Sequence, residues 1–254
     1  MAHQPLNIGE YSVYLEETTS TSDALKLLYS AENLPEGAVV YTDFQTKGRG
    51  QQTNSWESNP AENLLMSILL QPHFLLSDEQ VWLNIVISLA MREVAEDFAK
   101  TSAQIKWPND IFIQGKKVAG ILIENVLQGN RLRFSIVGVG LNLNQQVFKT
   151  EKAVSLTYFS GAWIDPNIVR LSLCEKLTHY YSLLKAKKHS HLWDLYHSFL
   201  LGKGLDAEFT LDEKLIIGTI MGIDKKGRLH LLIEDEIKSF AHKEIEFVKL
   251  IAAN

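Results

Sequence analysis

Residues 104–124, QIKWPNDIFIQGKKVAGILIE, restrict the fold of this chain more than any other stretch of its sequence. Apolar residues alternate with polar or aromatic ones after Pro108, and residues 118–123 form a nearly continuous apolar run. Both patterns are typical of β-strands, and the glutamine–glycine pair at 114–115 is typical of a hairpin turn. Because proline cannot donate to a sheet ladder, we expect Pro108 at a strand end or edge, with Trp107 extended before it. The stretch therefore predicts strands on both sides of a rigid corner.

The same corner carries more polar groups than a turn requires. Lys106 and Asp110 flank residues 107–109, and Lys116 and Lys117 follow across the next turn. A rigid corner between strands is a common place for catalytic groups. A solvated hairpin with a surface ion pair would explain the same residues, so the motif alone leaves both interpretations open.

Composition limits the class of protein. Of 254 residues, 46% are hydrophobic and 22% are charged, which are ordinary values for a globular protein with one large and one small domain. The net charge of -5 argues against a general nucleic-acid binder, and the histidines lack metal-binding spacing. The single cysteine, Cys174, excludes a disulfide framework and fits a reducing compartment. Without a signal peptide or a membrane-spanning apolar run, the expected location is the cytoplasm.

Five hydroxyl side chains in a row, at residues 18–22, separate a predicted strand at 12–17 from a predicted helix that begins near residue 24. A helix N-terminus needs only one hydroxyl as its cap. The run is therefore either a redundant cap or a row of hydroxyl and N–H groups that can bind a small polar ligand.

A loop rich in glycine and polar residues, 44–56, follows a short predicted strand at 37–43. Gly48 and Gly50 let the backbone approach a ligand closely, while Arg49 between them offers a planar donor fork to a carboxylate or phosphate. The spacings of the Walker A and dinucleotide-binding motifs are both missing. A loop of this length between strands is more often functional than decorative.

The helices are predicted from apolar residues at helical spacing. Ser77 and Gln80 match a capping box for a helix over residues 77–99. Pro166 suits the first turn of a helix over 167–186, and another helix is predicted over 189–200. The residues expected to face the core from the first two helices are Val81, Ile85, Leu89, Val94, Ile168, Leu171, Leu177 and Leu184.

Further strands are predicted at residues 63–70 and 131–139. Gly138 and Gly140 end the second of these as either a bulge at a sheet edge or a place of close ligand approach. Such an edge strand could also pair two subunits in a homodimer. After a boundary near residues 200–204, short strands predict a small all-β barrel, which divides the chain into domains 1–200 and 201–254. These strands are expected at residues 207–211, 215–223, 228–233 and 234–237.

Four motifs of this chain, taken in order, resemble those of biotin protein ligases. They are residues 48–50 followed by Trp56, the KWPND motif at 106–110, residues 117–122 and residues 138–142. The KWPND motif distinguishes the resemblance from the related lipoate ligases. The resemblance implies an α+β fold, in which helices flank a mixed β-sheet, with a small SH3-like β-barrel at the C-terminus.

The resemblance also implies an enzyme with two half-reactions. Biotin and MgATP would give biotinoyl-5'-AMP and pyrophosphate, and the adenylate would acylate one lysine of a biotin carboxyl carrier protein, in acetyl-CoA carboxylase or a related biotin enzyme. Regulatory members add an N-terminal DNA-binding domain. Because Ser20 and Thr21 lie within the first ~25 residues, which is too few for a domain of roughly 50 or more, we expect the monofunctional form without a DNA partner.

Residue roles follow from the same resemblance, with Arg49, Lys117 and Asp110 as the expected catalytic residues. Asp110 would either hold Mg²⁺, through water, or orient the incoming carrier lysine, and the sequence leaves both roles open. The expected biotin-binding residues are Ser20, Thr21, Gln45, Gly48, Arg49, Trp107, Lys117 and Gly120. The expected residues for ATP and the adenylate are Arg49, Gln51, Trp56, Lys117 and Asn142.

The chain departs from the family pattern at four positions near this site. Ser22 stands where asparagine is common, Thr53 where glycine is frequent, and Gln51 and Asn54 where several members carry arginine. Fewer cations over the phosphates predict weaker retention of biotinoyl-AMP than in an arginine-rich relative. Residues 47–55 are expected to order over the adenylate and exclude water from it.

Two other functions are compatible with part of this pattern. Lipoate or octanoyl transfer would use the same fold, and a biotin-binding module without turnover would keep the same pocket. Arg49, Asp110 and Lys117 together favour the enzyme, because a pure binder has no need of all three.

Overall fold

A seven-stranded sheet forms the larger part of the protein, in a computed structural model that describes residues 6–51 and 54–251. Thr53, one of the departures from the family pattern, therefore lies outside the described residues. The strands of this sheet are β1 (Ser12–Thr18), β2 (Val39–Gln45), β3 (Asn63–Leu70), β4 (Gln104–Lys106), β5 (Asp110–Ile113), β6 (Lys116–Gln128) and β7 (Arg131–Asn142).

The strand order is β1-β2-β3-β7-β6-β5-β4. Strands β1 and β2 run parallel, and the other neighbours are antiparallel, so the predicted mixed sheet is confirmed. The predicted hairpin at 114–115 is also present, with positive φ at both Gln114 and Gly115, as a tight turn between twisted strands requires.

The prediction that residues 131–139 form an edge strand is wrong. β7 pairs with β6 along its length, and from Ser135 onward it also pairs with β3 on the other side, so that Gly138 lies opposite Ser67 and Leu122. The proposed bulge at Gly138 and Gly140 and the proposed subunit pairing through this strand both depended on an edge. Neither is supported, because these residues already have ladder partners on both sides.

The helices cover both faces of this sheet. They are α1 (Thr21–Ala31), α2 (Val81–Ala99), the single turn α3 (Thr157–Ser160), α4 (Pro166–Lys185) and α5 (His189–Ser198). Ile68 and Val137 belong to the main core with α2 and α4, whereas the adjacent Leu69 and Ile136 pack in a smaller cluster against α1. A strand buried on both faces has no need of polar alternation, which explains the apolar sequence of β3.

Two details of the helix predictions are wrong. The first long helix begins after a 3-10 turn at Ser77–Glu79, and Leu76 donates its N–H to the Glu79 carboxylate at 2.9 Å, in place of the predicted pair of Ser77 and Gln80. In α4, Ile168 and Leu171 are exposed. The buried face of that helix contains the predicted Leu177 and Leu184 together with Val169, Leu173 and Tyr181.

A second, antiparallel sheet follows α5. Its strands are β8 (Asp206–Leu211), β9 (Lys214–Ile223), β10 (Leu229–Ile233), β11 (Glu236–Phe240) and β12 (Glu246–Leu250), in the order β11-β10-β9-β8-β12. The first three agree with the predicted strands to within one residue. The fourth begins two residues later than predicted, because Glu234 and Asp235 form the turn before it with positive φ, and β12 was not predicted. The α+β fold is confirmed, while the closure of this sheet into an SH3-like barrel stays a prediction.

Backbone hydrogen bonds connect the two parts of the chain. The N–H of Ile105 donates to the carbonyl of Phe199 at 2.8 Å, and that of Leu201 donates to the carbonyl of Ile105 at 2.8 Å. Apolar residues of both sheets also share one core. Within the described ranges, no helix combines the length and the apolar character needed to cross a membrane.

Candidate active site

A cavity of about 550 Å³ opens where the start of α1, the loop after β2, the turn between β4 and β5, and the second sheet meet. Its volume suits a small-molecule substrate. Ten of the predicted site residues line this cavity together: Ser20, Thr21, Gln45, Arg49, Gln51, Trp56, Trp107, Asp110, Lys117 and Gly120.

Glycines form the floor of the cavity, on the sheet face that α1 covers. A Cβ at Gly140 would overlap the ring of Trp56, and one at Gly120 would lie 3.0 Å from Cζ3 of the same ring. At Gly138 a Cβ would lie 2.9 Å from Oγ of Ser22. The indole of Trp56 therefore packs on Gly120 and Gly140, and the Ser22 hydroxyl lies against Gly138, while close approach of a ligand to these glycines stays a prediction.

The indole of Trp56 has one unused polar group. Its Nε1 is buried and has no hydrogen-bond partner among the described residues. Because a buried donor without a partner is costly, this N–H is suited to an acceptor on a bound ligand.

Hydroxyl groups and one amide form a polar cluster beside this floor. The N–H of Thr21 donates to Oε1 of Gln45 at 2.8 Å, and its hydroxyl donates to the same atom at 3.1 Å. Ser67 Oγ lies 2.8 Å from the Thr21 hydroxyl and 2.9 Å from that of Ser22. Ser20 is the N-cap of α1 but makes no side-chain capping bond among the described residues. Three members of the hydroxyl run, Ser20, Thr21 and Ser22, therefore line the cavity, and none of them is needed as a redundant cap.

Lys117 and Asp110 form an ion pair on neighbouring strands at the cavity. Nζ of Lys117 lies 2.6 Å from Oδ1 of Asp110, and the two side chains are 33% and 21% exposed. The same Nζ lies 5.7 Å from the centre of the Trp56 ring. Because both groups line the cavity and are largely shielded, a solvated surface pair does not describe them. An ammonium group held in this way can attract a substrate anion.

Hydrogen bonds fix the proline corner that carries Asp110. The side-chain amide of Asn84 donates to the carbonyl of Pro108 at 2.7 Å. Asn109 donates its side-chain amide to the carbonyl of Ile121 and accepts from the N–H of Ile121 at 3.1 Å. The Trp107–Pro108 peptide bond is cis. These contacts explain why the corner needs its asparagine.

Arg49 belongs to a network of four charged side chains. Its Nη2 lies 2.9 Å from Oδ1 of Asp23 and 2.9 Å from Oε2 of Glu124. Glu124 also accepts from Lys26 at 2.7 Å. Partial burial raises the pKa of Glu124, but the Lys26 ammonium and the Arg49 guanidinium outweigh it and hold that pKa below its usual value. Glu124 is therefore ionised at neutral pH.

Lys106 lies between the two sheets at the back of the cavity. Its Nζ is 5.1 Å from the centre of the Phe112 ring and 5.0 Å from that of Phe247 in β12. Burial lowers the pKa of Lys106 below its usual value, and the neighbouring Asp110 opposes this effect. Contacts with two aromatic faces stabilise a cation that has lost part of its hydration.

Two of the predicted site residues do not line the cavity. Gly48 accepts at its carbonyl from the N–H of Trp56 at 2.9 Å, and so supports the ring from behind. The Asn142 side chain is buried and donates to the carbonyl of Val154 at 3.2 Å. The adenine contact expected of Asn142 stays a prediction.

Several cavity residues were absent from the sequence-based list of site residues. Ser67 does not line the cavity among the described residues but bonds to two hydroxyls that do, and it lies within an apolar strand, where a single serine gives no signal. Lys106 is the first residue of the KWPND motif, so the motif could have indicated it. Others lie far away in the sequence, in loops or in β12, and nothing in the sequence marks them: Lys152, His242, Lys243, Glu246 and Phe247.

The acidic groups at the site fit only a loosely held metal ion. No group of three or more His, Cys, Asp and Glu side chains converges in residues 6–51 and 54–251. Asp110 is a single carboxylate, and it is already paired with Lys117. One such oxygen ligand suits an ion that keeps most of its water, as Mg²⁺ does.

Comparisons with known proteins agree with this geometry. A sequence model of the Biotin/lipoate A/B protein ligase family matches residues 14–142. The bifunctional ligase/repressor BirA of Bacillus spizizenii is 33% identical over 252 residues, which are 94% of this chain and 74% of that protein. The biotin--[acetyl-CoA-carboxylase] ligase of Mycobacterium tuberculosis is 29% identical over 172 residues, 66% of this chain and 62% of that protein.

The fold gives the same result. The structure of biotin protein ligase from Aquifex aeolicus in complex with biotin and ATP superposes with a TM-score of 0.79 at 30% identity, and the match covers 94% of this chain and 99% of that one. Fold and sequence thus define a ligase of the class that attaches biotin or lipoate to proteins. The chain belongs to the biotin/lipoate A/B protein ligase family.

Proposed function

We propose that this protein is an ATP-dependent biotin ligase, which activates biotin as biotinoyl-5'-AMP and transfers the biotinoyl group to a lysine of a biotin carboxyl carrier protein. The observation that carries the proposal is one cavity in which Arg49 and Lys117 lie beside a neutral wall of hydroxyls and a glycine floor. Relatives named as biotin ligases and a similar structure with bound biotin and ATP support the same substrates.

The cations have their main task in the first half-reaction. A carboxylate oxygen of biotin attacks the α-phosphorus of ATP, the bond from that phosphorus to the bridging oxygen breaks, and pyrophosphate leaves. Both reactants are negatively charged, so a guanidinium and an ammonium that face the same cavity lower their repulsion and hold them in line. Arg49 and Lys117 meet this need.

The cavity-lining groups of the polar cluster, Thr21, Ser22 and Gln45, are suited to the ureido ring of biotin. That ring has N–H donors and a carbonyl acceptor but no charge, and hydroxyls can both donate and accept. Trp107 adds an aromatic group to the same cavity. Neutral partners in a partly apolar pocket recognise such a ring without an unpaired charge.

Mg²⁺ would enter with ATP and neutralise phosphate charge when bound. Asp110 would hold it, through water, and the same carboxylate would orient the carrier lysine in the second half-reaction. In that step the lysine amine attacks the acyl carbon of the mixed anhydride, and AMP leaves with the bonding electron pair. Asp110 would keep the amine in position beside Lys117.

The partner is a biotin-carrying carboxylase, and acetyl-CoA carboxylase is the favoured one because relatives carry that name. A cytoplasmic location is part of the proposal, since the single cysteine is a buried free thiol. The acidic net charge gives no reason to add DNA to the partners. A division into a catalytic domain, 1–200, and a small domain, 201–254, also stays part of the proposal.

The test is mass spectrometry of a carrier domain incubated with this protein, biotin, ATP and Mg²⁺. We expect the carrier to gain one biotinoyl group, and a parallel reaction with lipoate to give no product. Lipoate incorporation in place of biotin would favour the neighbouring activity. Tight biotin binding without biotin-dependent pyrophosphate release would favour a binding module.

A lysine pair provides an internal control for the catalytic role of Lys117. We expect Lys117→Met to lower kcat for pyrophosphate release by roughly 100- to 1000-fold, because a donor to the developing charge is lost. Lys116 is the next residue in the chain, but it is exposed and does not line the cavity among the described residues. Lys116→Met should therefore leave kcat unchanged, and equal losses in both variants would contradict the assignment.

A further inference from the structure

The network around Arg49 holds one cation between two carboxylates that are not part of the substrate site. Asp23, in the first turn of α1, and Glu124, on β6, both contact the guanidinium, but neither lines the cavity among the described residues. Arg49 itself does line it. Any effect of these carboxylates on substrate binding must therefore act through Arg49.

The network is electrically balanced before any substrate binds. Arg49 and Lys26 supply two positive charges, and Asp23 and Glu124 supply two negative ones. An incoming substrate anion would add a third negative charge around a guanidinium whose donor fork is already occupied. Like charges in such proximity repel, so binding would be weakened unless one protein carboxylate withdraws.

The two carboxylates are held to different degrees. Glu124 accepts from both terminal nitrogens of Arg49, at 3.3 and 2.9 Å, and also from Lys26. Its side chain is 28% exposed, whereas that of Asp23 is 44% exposed, and Asp23 makes a single contact with Arg49 at 2.9 Å.

If Glu124 moved away from Arg49, a partly buried carboxylate would lose hydrogen bonds, and its ion pair with the Lys26 ammonium would be weakened. Release of Asp23 leaves a carboxylate in water at a helix N-terminus, where negative charge is favoured. Asp23 is therefore the carboxylate that costs less to release.

We propose that Asp23 is an internal competitor for Arg49, which a substrate anion displaces, and that Glu124 is a positioning residue that keeps the guanidinium at the cavity during this exchange. The proposal rests on the function proposed above, which supplies the anion: the carboxylate of biotin or a phosphate of ATP. Asp23 then weakens the binding of that anion, and Glu124 strengthens it.

Opposite effects of two charge-removing substitutions test the proposal. Asp23→Asn should lower the Kd of the displacing ligand by about two- to five-fold, the range expected for an exposed ion pair. Glu124→Gln should raise the same Kd and the KM by a similar factor, because Arg49 is no longer held at the cavity. A purely structural role would not tighten binding in one variant and weaken it in the other.

Titration calorimetry of the full chain measures these constants in two separate arms, with biotin alone and with a non-hydrolysable ATP analogue alone. Tightening by Asp23→Asn in the biotin arm identifies the carboxylate as the displacing group, and tightening in the nucleotide arm identifies the phosphate. Asp78→Asn removes an exposed carboxylate outside the network and should change neither constant. Thermal unfolding of each variant shows that the fold is retained.

The Arg49→Gln background separates competition for Arg49 from a general gain of positive charge. Asp23→Asn should have no effect there, and an equal tightening in that background would overturn the proposal. Unchanged or weaker binding by Asp23→Asn in both arms, with an active wild-type enzyme, would overturn it as well. A wild-type chain that releases no pyrophosphate with biotin would instead overturn the proposed function, and tightening in the nucleotide arm would then still support displacement of Asp23.

Discussion

At the scale of single residues, the shape of the cavity depends on glycines, which have no side chain. Gly120 and Gly140 lie opposite each other on β6 and β7, on the face that α1 covers. Alternate residues of a strand face the same side of the sheet. Two glycines at such positions therefore leave a flat strip of backbone. Trp56 lies on this strip, which brings an aromatic ring to the cavity without a break in the sheet.

This arrangement predicts the cost of a single methyl group. Gly140→Ala should lower the free energy of unfolding by about 1–3 kcal/mol, since the ring of Trp56 must shift to admit the new atom. In a Trp56→Ala background the same substitution should cost much less, because the space is then free. Urea unfolding of all four proteins measures the coupling, and additive losses would show that Trp56 does not lie on Gly140.

The polar departures of the glycine-rich loop lead us to expect a shorter lifetime of the bound intermediate. Gln51 and Asn54 line the cavity where several family members are expected to carry arginine. Gln51→Arg should slow the release of biotinoyl-AMP by roughly 5- to 10-fold, since it adds a charge-assisted contact to the phosphate. The off-rate is measured by filtration of the preformed complex. Gln128→Arg, at the exposed far end of β6, is the matched control, and equal slowing in both would point to a general effect of charge.

At the scale of elements, the spacing of apolar residues and the residue types at turns predicted most of the helices and strands. The hairpin at 114–115 and the strand β3 were predictable because two or more local signals agreed. The start of α2 was not, since the backbone of Leu76 and the side chain of Glu79 satisfy each other and Ser77 is not needed as a cap. In α4, apolar residues lie on both sides of the helix, and packing against α2 selected Val169 over Ile168 as the buried one.

One buried histidine joins α5 to the second sheet. Nδ1 of His197 donates to the carbonyl of Trp193 at 2.8 Å, and its Nε2 accepts from the N–H of Ile223 at 3.1 Å, which requires the neutral ring. Burial lowers the pKa of His197, against the smaller opposing effect of the contact with Trp193. The unfolded chain therefore binds this proton at a higher pH than the folded protein does.

This histidine predicts how the stability depends on pH. The stabilisation by neutral His197 is fully present above its unfolded pKa of about 6.5 and is lost as the pH falls from there towards the lower pKa of the folded state. Urea unfolding at pH 7.5 and pH 5.5 should show a loss on acidification, and this loss should shrink in His197→Gln. His191→Gln removes an exposed histidine from the same helix and should keep the full loss. An unchanged pH dependence in His197→Gln would contradict the account.

At the scale of the whole molecule, the cavity is shared between the two sheets. The catalytic candidates Arg49, Asp110 and Lys117 were predictable because each lies in a local motif with charge and restricted backbone. The contribution of the second sheet was not predictable. Phe247 and its neighbours are far from the other cavity residues in the sequence and come close to them only in the folded chain. β12 also lacks strict alternation, so neither its strand nor its place beside β8 could be read from the sequence.

Trp107 provides the sharpest test of this shared construction. Its Nε1 donates to the carbonyl of Gly227, in the turn between β9 and β10, at 2.9 Å. Trp107→Phe keeps an aromatic ring and removes that one donor, so it should lower the free energy of unfolding by about 1 kcal/mol and speed amide hydrogen exchange at residues 223–229. Trp163→Phe, at a position that is 66% exposed, should change neither quantity.

Because Trp107 belongs to the KWPND corner, faster exchange in this turn together with a lower kcat would show that the second sheet helps to hold the catalytic corner in place. Unchanged exchange at residues 223–229 in Trp107→Phe would mean that the second sheet is held by other contacts.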